Sequence, residues 1–179
     1  DRGWQIVSDY PVRFRRSPSM LPLPIPEPGG NILELKQVLN FGDRDWVLVL
    51  CWLLFCLYPN HPHPILILNG EQGSGKSFTS KTLKSFVDPQ KSPLLSEPKD
   101  LRDFSISANN RWLLGFDNLS GISNYLSDAL CRIATGGGFA TRTLHENDEE
   151  TIFEFTRPIV MNGIDSLATR SDLLERSIL

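Results

Sequence analysis

A glycine-rich segment carries the clearest chemistry in the chain. Residues 70–77 read Gly-Glu-Gln-Gly-Ser-Gly-Lys-Ser, a complete match to GxxxxGK followed by Ser or Thr. Its glycines allow a tight turn that aims successive N–H groups at phosphate oxygens, and the N-terminus of a following helix favours the anion. Lys76 would reach the β- and γ-phosphates of a nucleotide, and Ser77 would ligate Mg²⁺. The predicted phosphate-binding residues are Gly70, Glu71, Gln72, Gly73, Ser74, Gly75, Lys76, Ser77 and Phe78.

A carboxylate that could complete the Mg²⁺ site follows a predicted buried strand at 112–116. Asp117 stands where that strand ends, and a phosphate-binding loop needs such an acid at a nearby strand end. The alternative is an Asp that only caps a helix. The next residue is Asn118, where many hydrolysing proteins with this loop carry Glu. Because Asn cannot act as a base, hydrolysis uses another acid, with Glu71 and Glu97 as candidates, or it is slow.

Three polar residues further along the chain are candidates for contact with the terminal phosphate. Asn162 follows a predicted strand at 158–161 and could point at the γ-phosphate or at the attacking water, although Asn-Gly is also a common turn. Arg170 and Arg176 could each supply a guanidinium that stabilises transition-state charge, an effect of about 10³–10⁵ in rate. The alternative for both is a solvated charge or a cation at a helix end.

Strand and helix patterns alternate from residue 64 onward. Short apolar runs predict buried strands, and the stretches between them predict helices. The predicted strands are 65–68, 94–95, 112–116 and 158–161, and the predicted helices are 76–87, 99–107, 122–134 (with Ser120 or Gly121 near its cap) and 171–175. This alternation predicts an α/β fold with a parallel sheet covered on both faces. Residues 139–155 interrupt it and predict a β-hairpin with a polar tip.

Residues 1–30 form a proline-rich segment. Prolines at alternating positions exclude a helix or a central strand and predict an extended arm laid on the surface. Arg13, Arg15 and Arg16 make this arm locally basic. We interpret it as a linker or a packed arm; contact with nucleic acid is an alternative that charge alone supports.

Residues 31–63 are predicted to form a small helical region, and residues 64–179 the nucleotide-binding core. The two helices are predicted at 31–39 and 44–58, capped by Asn31 and Asp43. The apolar stretch at 46–58 has 13 residues, fewer than the roughly 20 that a membrane span needs, so a buried helix is expected. His61 and His63 follow in a proline-rich turn and are interpreted as turn residues, because no further metal ligands accompany them.

The amino-acid composition and net charge of the chain exclude some classes of protein. The chain has 179 residues, of which 40% are hydrophobic and 22% charged, with a net charge of −3. This composition excludes a strongly basic nucleic-acid binder, so any such contact must come from a local patch. Three widely spaced Cys without a CxxC pair indicate a reducing, cytoplasmic compartment. With no initiator Met or signal peptide, the chain is expected to be a piece of a longer protein.

The order of these motifs resembles the AAA+ superfamily. Within it, the chain is similar to superfamily 3 helicases and to the primase-helicases of poxviruses and phages. It resembles still more closely uncharacterised ATP-binding proteins of phages, plasmids and integrated elements. The likeness covers about residues 30–179 and rests, beside the glycine loop, on Asp117–Ser120, Leu126–Arg132, Ala134–Phe139, Arg142, Leu144, Asn162 and Asp172–Arg176.

The resemblance implies roles for the candidate residues. The glycine loop becomes Walker A, Asp117 the Walker B acid, Asn162 the sensor and Arg176 a finger that acts on a neighbouring subunit. The strands with Asp117 and Asn162 would flank the strand before the loop, and a final strand would begin at Ser177. The hairpin would face the channel of a ring, and a helical lid would follow beyond this chain.

Two functions are compatible with this resemblance. The first is an ATP-driven DNA helicase or translocase of a mobile-element replication protein, which forms a homo-oligomeric ring such as a hexamer on single-stranded or forked DNA. The second is an assembly or loading ATPase switched by ATP and Mg²⁺, with slow hydrolysis. Asn118 and the acidic hairpin tip, where Arg142 and His145 are the only candidate DNA contacts, favour the second. A small-molecule kinase is a third class, for which we find no acceptor or lid motif.

Overall fold

The computed structural model describes residues 6–7, 11, 16–39, 41–137, 139–142, 150–153 and 156–179. Over these residues, helices and strands alternate along most of the chain. The helices are α1 (Ile32–Leu39), α2 (Asp43–Phe55), α3 (Lys76–Val87), α4 (Leu101–Asn110), α5 (Asn124–Thr135) and α6 (Ser171–Leu174). The strands are β1 (Ile65–Asn69), β2 (Leu114–Leu119), β3 (Phe139–Arg142), β4 (Glu150–Phe153), β5 (Ile159–Gly163) and β6 (Ser177–Ile178).

A four-stranded parallel sheet in the order β2-β5-β1-β6 lies at the centre of the fold. It confirms the α/β class and the strand predicted to begin at Ser177. The expectation that the strands with Asp117 and Asn162 both flank the strand before the glycine loop is wrong. β5, which carries Asn162, pairs with β1, but β2 pairs with the far edge of β5. Every residue of β5 is buried, as expected of a strand that has partners on both edges.

Helices cover both faces of this sheet. Side chains alternate between faces along a strand. Ile65 and Ile67 of β1 therefore join one buried cluster with residues of α4 and α5, whereas Leu66 joins another with residues of α1, α2 and α3. The result is a helix–sheet–helix sandwich, which explains why the strands read as continuous apolar runs rather than as alternating ones.

The N-terminal helices form part of the second cluster. Asn31 caps α1 as predicted, since its Oδ1 accepts the N–H of Leu33 at 3.0 Å. Trp52 of α2 is buried, and its Nε1 donates to the carbonyl of Pro64 at 2.8 Å. Among the described residues, we find no helix with the length and apolarity to cross a bilayer.

α2 differs from the prediction at both ends. It begins at Asp43, so the cap position belongs to Gly42, and the Asp43 carboxylate pairs instead with Lys36 of α1. It ends at Phe55, because the N–H of Tyr58 bonds to the carbonyl of Phe55, three residues back, in a tighter turn. The pyrrolidine ring that follows Tyr58 disfavours helical backbone at that residue.

β2 begins two residues later than predicted, because a buried carboxylate takes the N–H groups ahead of it. Oδ2 of Asp88 accepts from the N–H groups of Trp112 and Leu113 at 3.0 and 3.1 Å. The same oxygen lies 2.8 Å from Nζ of Lys84, which also donates to the carbonyl of Leu113. The Lys84 and Asp88 side chains are 0% and 1% exposed. Burial lowers the pKa of Lys84, against the opposing effect of Asp88. The network fastens the end of α3 to the start of β2.

Other boundaries move by a few residues. The observed caps are Asp100 for α4 and Ser123 for α5, so Ser120 and Gly121 do not cap α5. The strand predicted at 94–95 is reduced to one bridge between Leu95 and Phe116 at the edge of β2. The predicted hairpin is present as an antiparallel pair of β3 and β4, but its tip, with His145, lies outside the described residues, as does the side chain of Arg142.

We expect Asp88→Ala to lower the free energy of unfolding by about 3–5 kcal/mol, because it leaves a buried ammonium and two backbone N–H groups without their acceptor. Lys84→Met should cost less, since Asp88 keeps the two N–H donors and the amide of Gln90 at 2.7 Å. Urea denaturation measures both. Lys81→Met, on the exposed side of α3, is the matched control; an equal loss in Asp88→Ala and Lys81→Met would contradict the network.

The buried His63 side chain is expected to make the stability of the fold depend on pH. It is 3% exposed, its ring nitrogens have no hydrogen-bond partner among the described residues, and it packs edge-on against Phe55 and Trp112. Burial, with smaller contributions from His61 and Arg157, lowers its pKa from 6.5. Below pH about 6.5 the unfolded chain therefore binds a proton that folded His63 does not, and stability falls as the pH falls.

The expected loss in wild type approaches about 1.4 kcal/mol per pH unit below that point, on top of any other titration. His63→Phe should remove this component of the slope, whereas His61→Phe, at the exposed neighbour, should keep it. Thermal or urea unfolding at several pH values measures the slopes. Identical slopes in wild type and His63→Phe would show that His63 does not couple to folding.

Candidate nucleotide site

The predicted site residues lie on three elements whose carboxyl ends meet at one edge of the sheet. The glycine loop follows β1, Asp117 lies in the last part of β2 and Asn162 in the last part of β5. Parallel pairing sets Leu68 against Asn162 and Asn69 against Gly163. The crevice beyond the carboxyl ends of parallel strands is where α/β folds bind ligands. The loop, the acid and the amide are thus brought together.

Two glycines allow the loop to turn into α3. Gly73 and Gly75 have φ values of 83° and 84°, in the left-handed region that favours glycine. Gly75 is the cap residue of α3 and offers no side-chain acceptor. The first N–H groups of α3 therefore stay free of a cap and can donate to an anion from outside the chain.

Lys76 lies over the loop. Its Nζ donates to the carbonyl oxygens of Gly70 and Glu71, both at 2.6 Å, and contacts Ser74 Oγ at 3.2 Å. These three oxygens surround the ammonium from the loop side. Phosphate oxygens brought to the loop would compete with these oxygens for the ammonium.

Ser77 and Asp117 meet across the site. Ser77 Oγ donates to Asp117 Oδ1 at 2.6 Å, although the two residues are 40 positions apart in the sequence. One hydroxyl and one carboxylate at this separation match the oxygen ligands that a protein offers to Mg²⁺, which keeps several waters besides. The donor set therefore fits the ion that the sequence predicts.

A β-bulge places Asn118 beside Asn162. The pairing of β2 with β5 shifts by one residue between Phe116 and Leu119, and Asn118 has a φ of 54°, which Asn tolerates better than most residues. The Asn118 N–H donates to Asn162 Oδ1 at 3.0 Å, and Asn162 Nδ2 donates to Ser80 Oγ at 3.1 Å. Asn162 is 1% exposed. Its amide is thus fixed between β2 and α3.

These groups border a cavity of about 520 Å³, within the roughly 300–1,000 Å³ usual for small-molecule sites. Its lining includes Gln72, Lys76, Ser77, Phe78, Asn118 and Asn162. Asp117 lines a neighbouring cavity of about 380 Å³, together with Lys81 and Lys91. No local sequence pattern indicates this neighbouring cavity, because Lys81 and Asp117 are far apart along the chain.

Arg176 lies at the opposite end of the strands from the glycine loop. Its carbonyl accepts the N–H of Ile65, the first residue of β1, whereas the glycine loop follows Asn69 at the other end of that strand. At about 3.3 Å per residue, roughly 13 Å separates these two strand ends. Arg176 Nη1 donates to the carbonyl of Asp172 at 2.6 Å, the contact of a cation at a helix end.

The other charged candidates are not among the residues that line the cavity. Arg170 Nη2 pairs with Asp128 at 2.9 Å and with Asp172 at 3.1 Å. Glu71 and Glu97 are exposed, and the residues that line the cavity include neither. Within the described part of the chain, Asn118 is therefore the residue that borders the cavity where a hydrolytic base was expected.

Ser80 is a site residue that sequence reasoning missed. It is fully buried in α3 and shares that buried side with Leu83, Lys84 and Val87. Ser80 is spaced from these residues as on one face of a helix. A polar residue on a predicted apolar face was therefore the signal that could have identified it. Its partner Asn162 is 82 positions away, and no local pattern could reveal the contact.

A solved structure shares this fold at low sequence identity. The C-terminal region of NrS-1 matches with a TM-score of 0.50 and 18% identity, over 86% of this chain and 38% of that one. The JCV helicase matches with a TM-score of 0.46 and 15% identity, over 82% of this chain and 48% of that one. The chain thus spans less than half the length of these structures.

Sequence comparison gives the family. No curated protein matches the chain significantly. The sequence model of the actinomycete integrative conjugative element replication protein, in contrast, matches residues 32–179, which include every candidate site residue described above. The chain belongs to this family of mobile-element replication proteins.

Proposed function

We propose that the chain is the ATP-binding and ATP-hydrolysing module of the replication protein, and that it works on DNA as a ring of the AAA+ type, related to superfamily 3 helicases. The observation that carries the proposal is the 2.6 Å contact of Ser77 with Asp117 beside a complete glycine loop. This hydroxyl and carboxylate lie next to an ammonium and to free helix N–H groups. Together these groups suit a nucleoside triphosphate with Mg²⁺.

In this proposal each residue acts on a defined part of the nucleotide. The loop N–H groups and Lys76 hold the phosphates, and Lys76 exchanges its loop carbonyls for phosphate oxygens. Ser77 and Asp117 hold Mg²⁺, which when bound neutralises charge on the β- and γ-phosphates. Asn162 borders the cavity with its amide orientation fixed by Asn118 and Ser80, and so orients the attacking water.

The position of Arg176 supports a ring. The residue lies about 13 Å or more from the glycine loop of its own chain, at the far end of β1. It can therefore stabilise transition-state charge only on a nucleotide held by a neighbouring copy. Family membership in replication proteins supports single-stranded or forked DNA as the partner of such a ring.

A second candidate is an assembly or loading ATPase that ATP switches, with slow hydrolysis and no unwinding. One observation favours it: Asn118, exposed at the cavity, stands where a base would be, and an amide cannot take a proton. In that case ATP would order the ring, and hydrolysis would be occasional.

Phosphate release from ATP separates the two candidates. We expect wild type to hydrolyse ATP slowly as a monomer and faster as protein concentration and single-stranded DNA increase, and Lys76→Ala to abolish turnover. Asn118→Asp supplies a carboxylate and keeps a residue that tolerates left-handed backbone, so kcat should rise at least about tenfold if the missing base limits the rate.

The switch is the better description if wild type stays at the Lys76→Ala level while ATP still raises its unfolding temperature. Fast turnover by dilute, monomeric protein would contradict the shared site. Asp117→Asn serves as a further control, because it keeps the size of the Mg²⁺ ligand but removes its charge and should reduce turnover in both cases.

Mixing two inactive variants tests the trans role of Arg176. Arg176→Ala keeps an intact glycine loop, and Lys76→Ala keeps an intact Arg176. In a mixed ring the second variant supplies the arginine to the first, so ATP hydrolysis should recover to a clear fraction of the wild-type rate. The double variant Lys76→Ala/Arg176→Ala, mixed in the same ratio, should restore nothing.

Full activity of Arg176→Ala alone would contradict the role. So would equal recovery with the double variant. Arg170→Ala is the matched arginine control, because its guanidinium is already paired with two carboxylates of its own chain.

A further inference from the structure

A separate cavity lined by two arginines lies at the opposite end of the strands from the nucleotide site. It measures about 230 Å³ and is lined by Ser17, Asn109, Asn110, Arg111, Trp112 and Arg157, among others. Arg111 and Trp112 precede β2, and Arg157 follows the hairpin and precedes β5. The cavity thus lies where β2 and β5 begin, whereas the glycine loop lies where the strands end.

Arg111 is the unusual residue of this cavity. Its Nε is buried and has no hydrogen-bond partner among the residues that the structure describes, and the ion pairs of those residues do not include it. A buried donor without an acceptor is costly, and such a group in a native fold indicates an absent water, ion or ligand. A guanidinium offers a planar fork that suits a phosphate or a carboxylate.

None of the described carboxylates forms an ion pair with Arg111. The residues that line the cavity include no acid. Asp88 lies close enough to affect Arg157, but its oxygens already accept from Lys84, Gln90 and backbone N–H groups. The Arg111 guanidinium therefore has no carboxylate within ion-pair distance among the described residues, which favours an anion from outside.

The remaining lining residues form a rigid frame. Arg157 Nε donates to the carbonyl oxygens of Ala108 and Arg111, both at 2.9 Å, and its guanidinium lies 5.2 Å over the Trp112 ring. Trp112 Nε1 in turn donates to the carbonyl of Cys56 at 2.7 Å. The walls are therefore held in place by contacts that do not involve the Arg111 side chain.

The proline-rich arm closes one side of this cavity. Its described part lies against the core through a bridge of Met20 with Gln90, and the N–H of Lys91 donates to the carbonyl of Ser19 at 2.9 Å. Ser17 borders the cavity, and Arg16, the last of three arginines in the arm, directly precedes it. The arm thus contributes Ser17 and Met20 to the wall of the cavity that Arg111 borders.

We propose that this cavity binds a phosphate group and that the backbone of single-stranded nucleic acid supplies it. The cavity is smaller than the roughly 300–1,000 Å³ of a small-molecule site, so it suits one group of a larger polyanion. The inference goes beyond the nucleotide site; only the choice of DNA as the source rests on the proposed role in replication. Free phosphate is the other source of the same chemistry.

Binding of a labelled single-stranded oligothymidylate, followed by fluorescence anisotropy over a series of salt concentrations, tests the proposal. Arg111→Ala should weaken binding about 5–10-fold and reduce the slope of log affinity against log salt by about 1, as for the loss of one phosphate contact. Arg102→Ala, an exposed arginine on α4 away from the cavity, should leave both unchanged. Lys76→Ala should also bind DNA normally without ATP, which separates this site from failure of the ATPase.

A second arm tests free phosphate. Lys76→Ala weakens phosphate binding at the glycine loop, so the part of its rise in unfolding temperature with inorganic phosphate that depends on Arg111 reports another site. Adding Arg111→Ala to that variant should reduce the rise. Arg111→Gln, which keeps size and polarity without charge, replaces Arg111→Ala in both arms if the alanine variant does not fold.

A loss in the DNA arm supports the backbone as the source. A loss in the phosphate arm alone supports the site with free phosphate as its ligand. If the Arg111 variants fold and behave as wild type in both arms, or if wild type binds neither DNA nor phosphate at this site, the proposal is overturned.

Discussion

The parallel pairing of β5, with β1 on one edge and β2 on the other, is the constraint on which the candidate site depends. It brings the ends of three strands to one line, so that the glycine loop, Asp117 and Asn162 meet although nearly a hundred residues separate the first from the last. No single helix or hairpin could do this. The Asn162 amide, held by Asn118 and Ser80, occupies the centre of that line because its strand does.

α3 depends on the same arrangement at three levels. Ser77 contacts Asp117, Ser80 contacts Asn162, and Lys84 joins Asp88 in the buried network under β2. A hydrogen bond contributes only about 0.5–1.5 kcal/mol between neutral groups and about 1.5–3 kcal/mol to a charged group, whereas removing one partner of a buried ion pair costs about 3–5 kcal/mol. The contact of α3 that costs the most free energy to break, between Lys84 and Asp88, is thus the one farthest from the nucleotide site. The hydroxyl contacts at the loop can then exchange for ligands while the helix stays in place.

Local sequence patterns were sufficient for the fold class and for the glycine loop. The apolar runs locate β1 and β5 within a residue or two, and α3 starts and ends as predicted at Lys76 and Val87. Three features depended instead on contacts between different elements. β5 lies between β1 and β2, β2 starts late because Asp88 takes the N–H groups ahead of it, and the Asp43 carboxylate pairs with Lys36 of α1 rather than capping α2. A contact between two elements leaves no periodic signal along either of them.

β2 and β5 also run from one cavity to the other, between the two ends of the sheet. Trp112 and Arg157, which lie just before β2 and β5, border the basic cavity, and Asn118 and Asn162, near the ends of these strands, border the nucleotide cavity. Every residue of β5 is buried, and the strand is paired on both edges, so its two ends are held at a fixed distance. The nucleotide cavity and the basic cavity are therefore built on opposite ends of the same two strands, and the packing that fixes Asn162 also fixes the frame around Arg111.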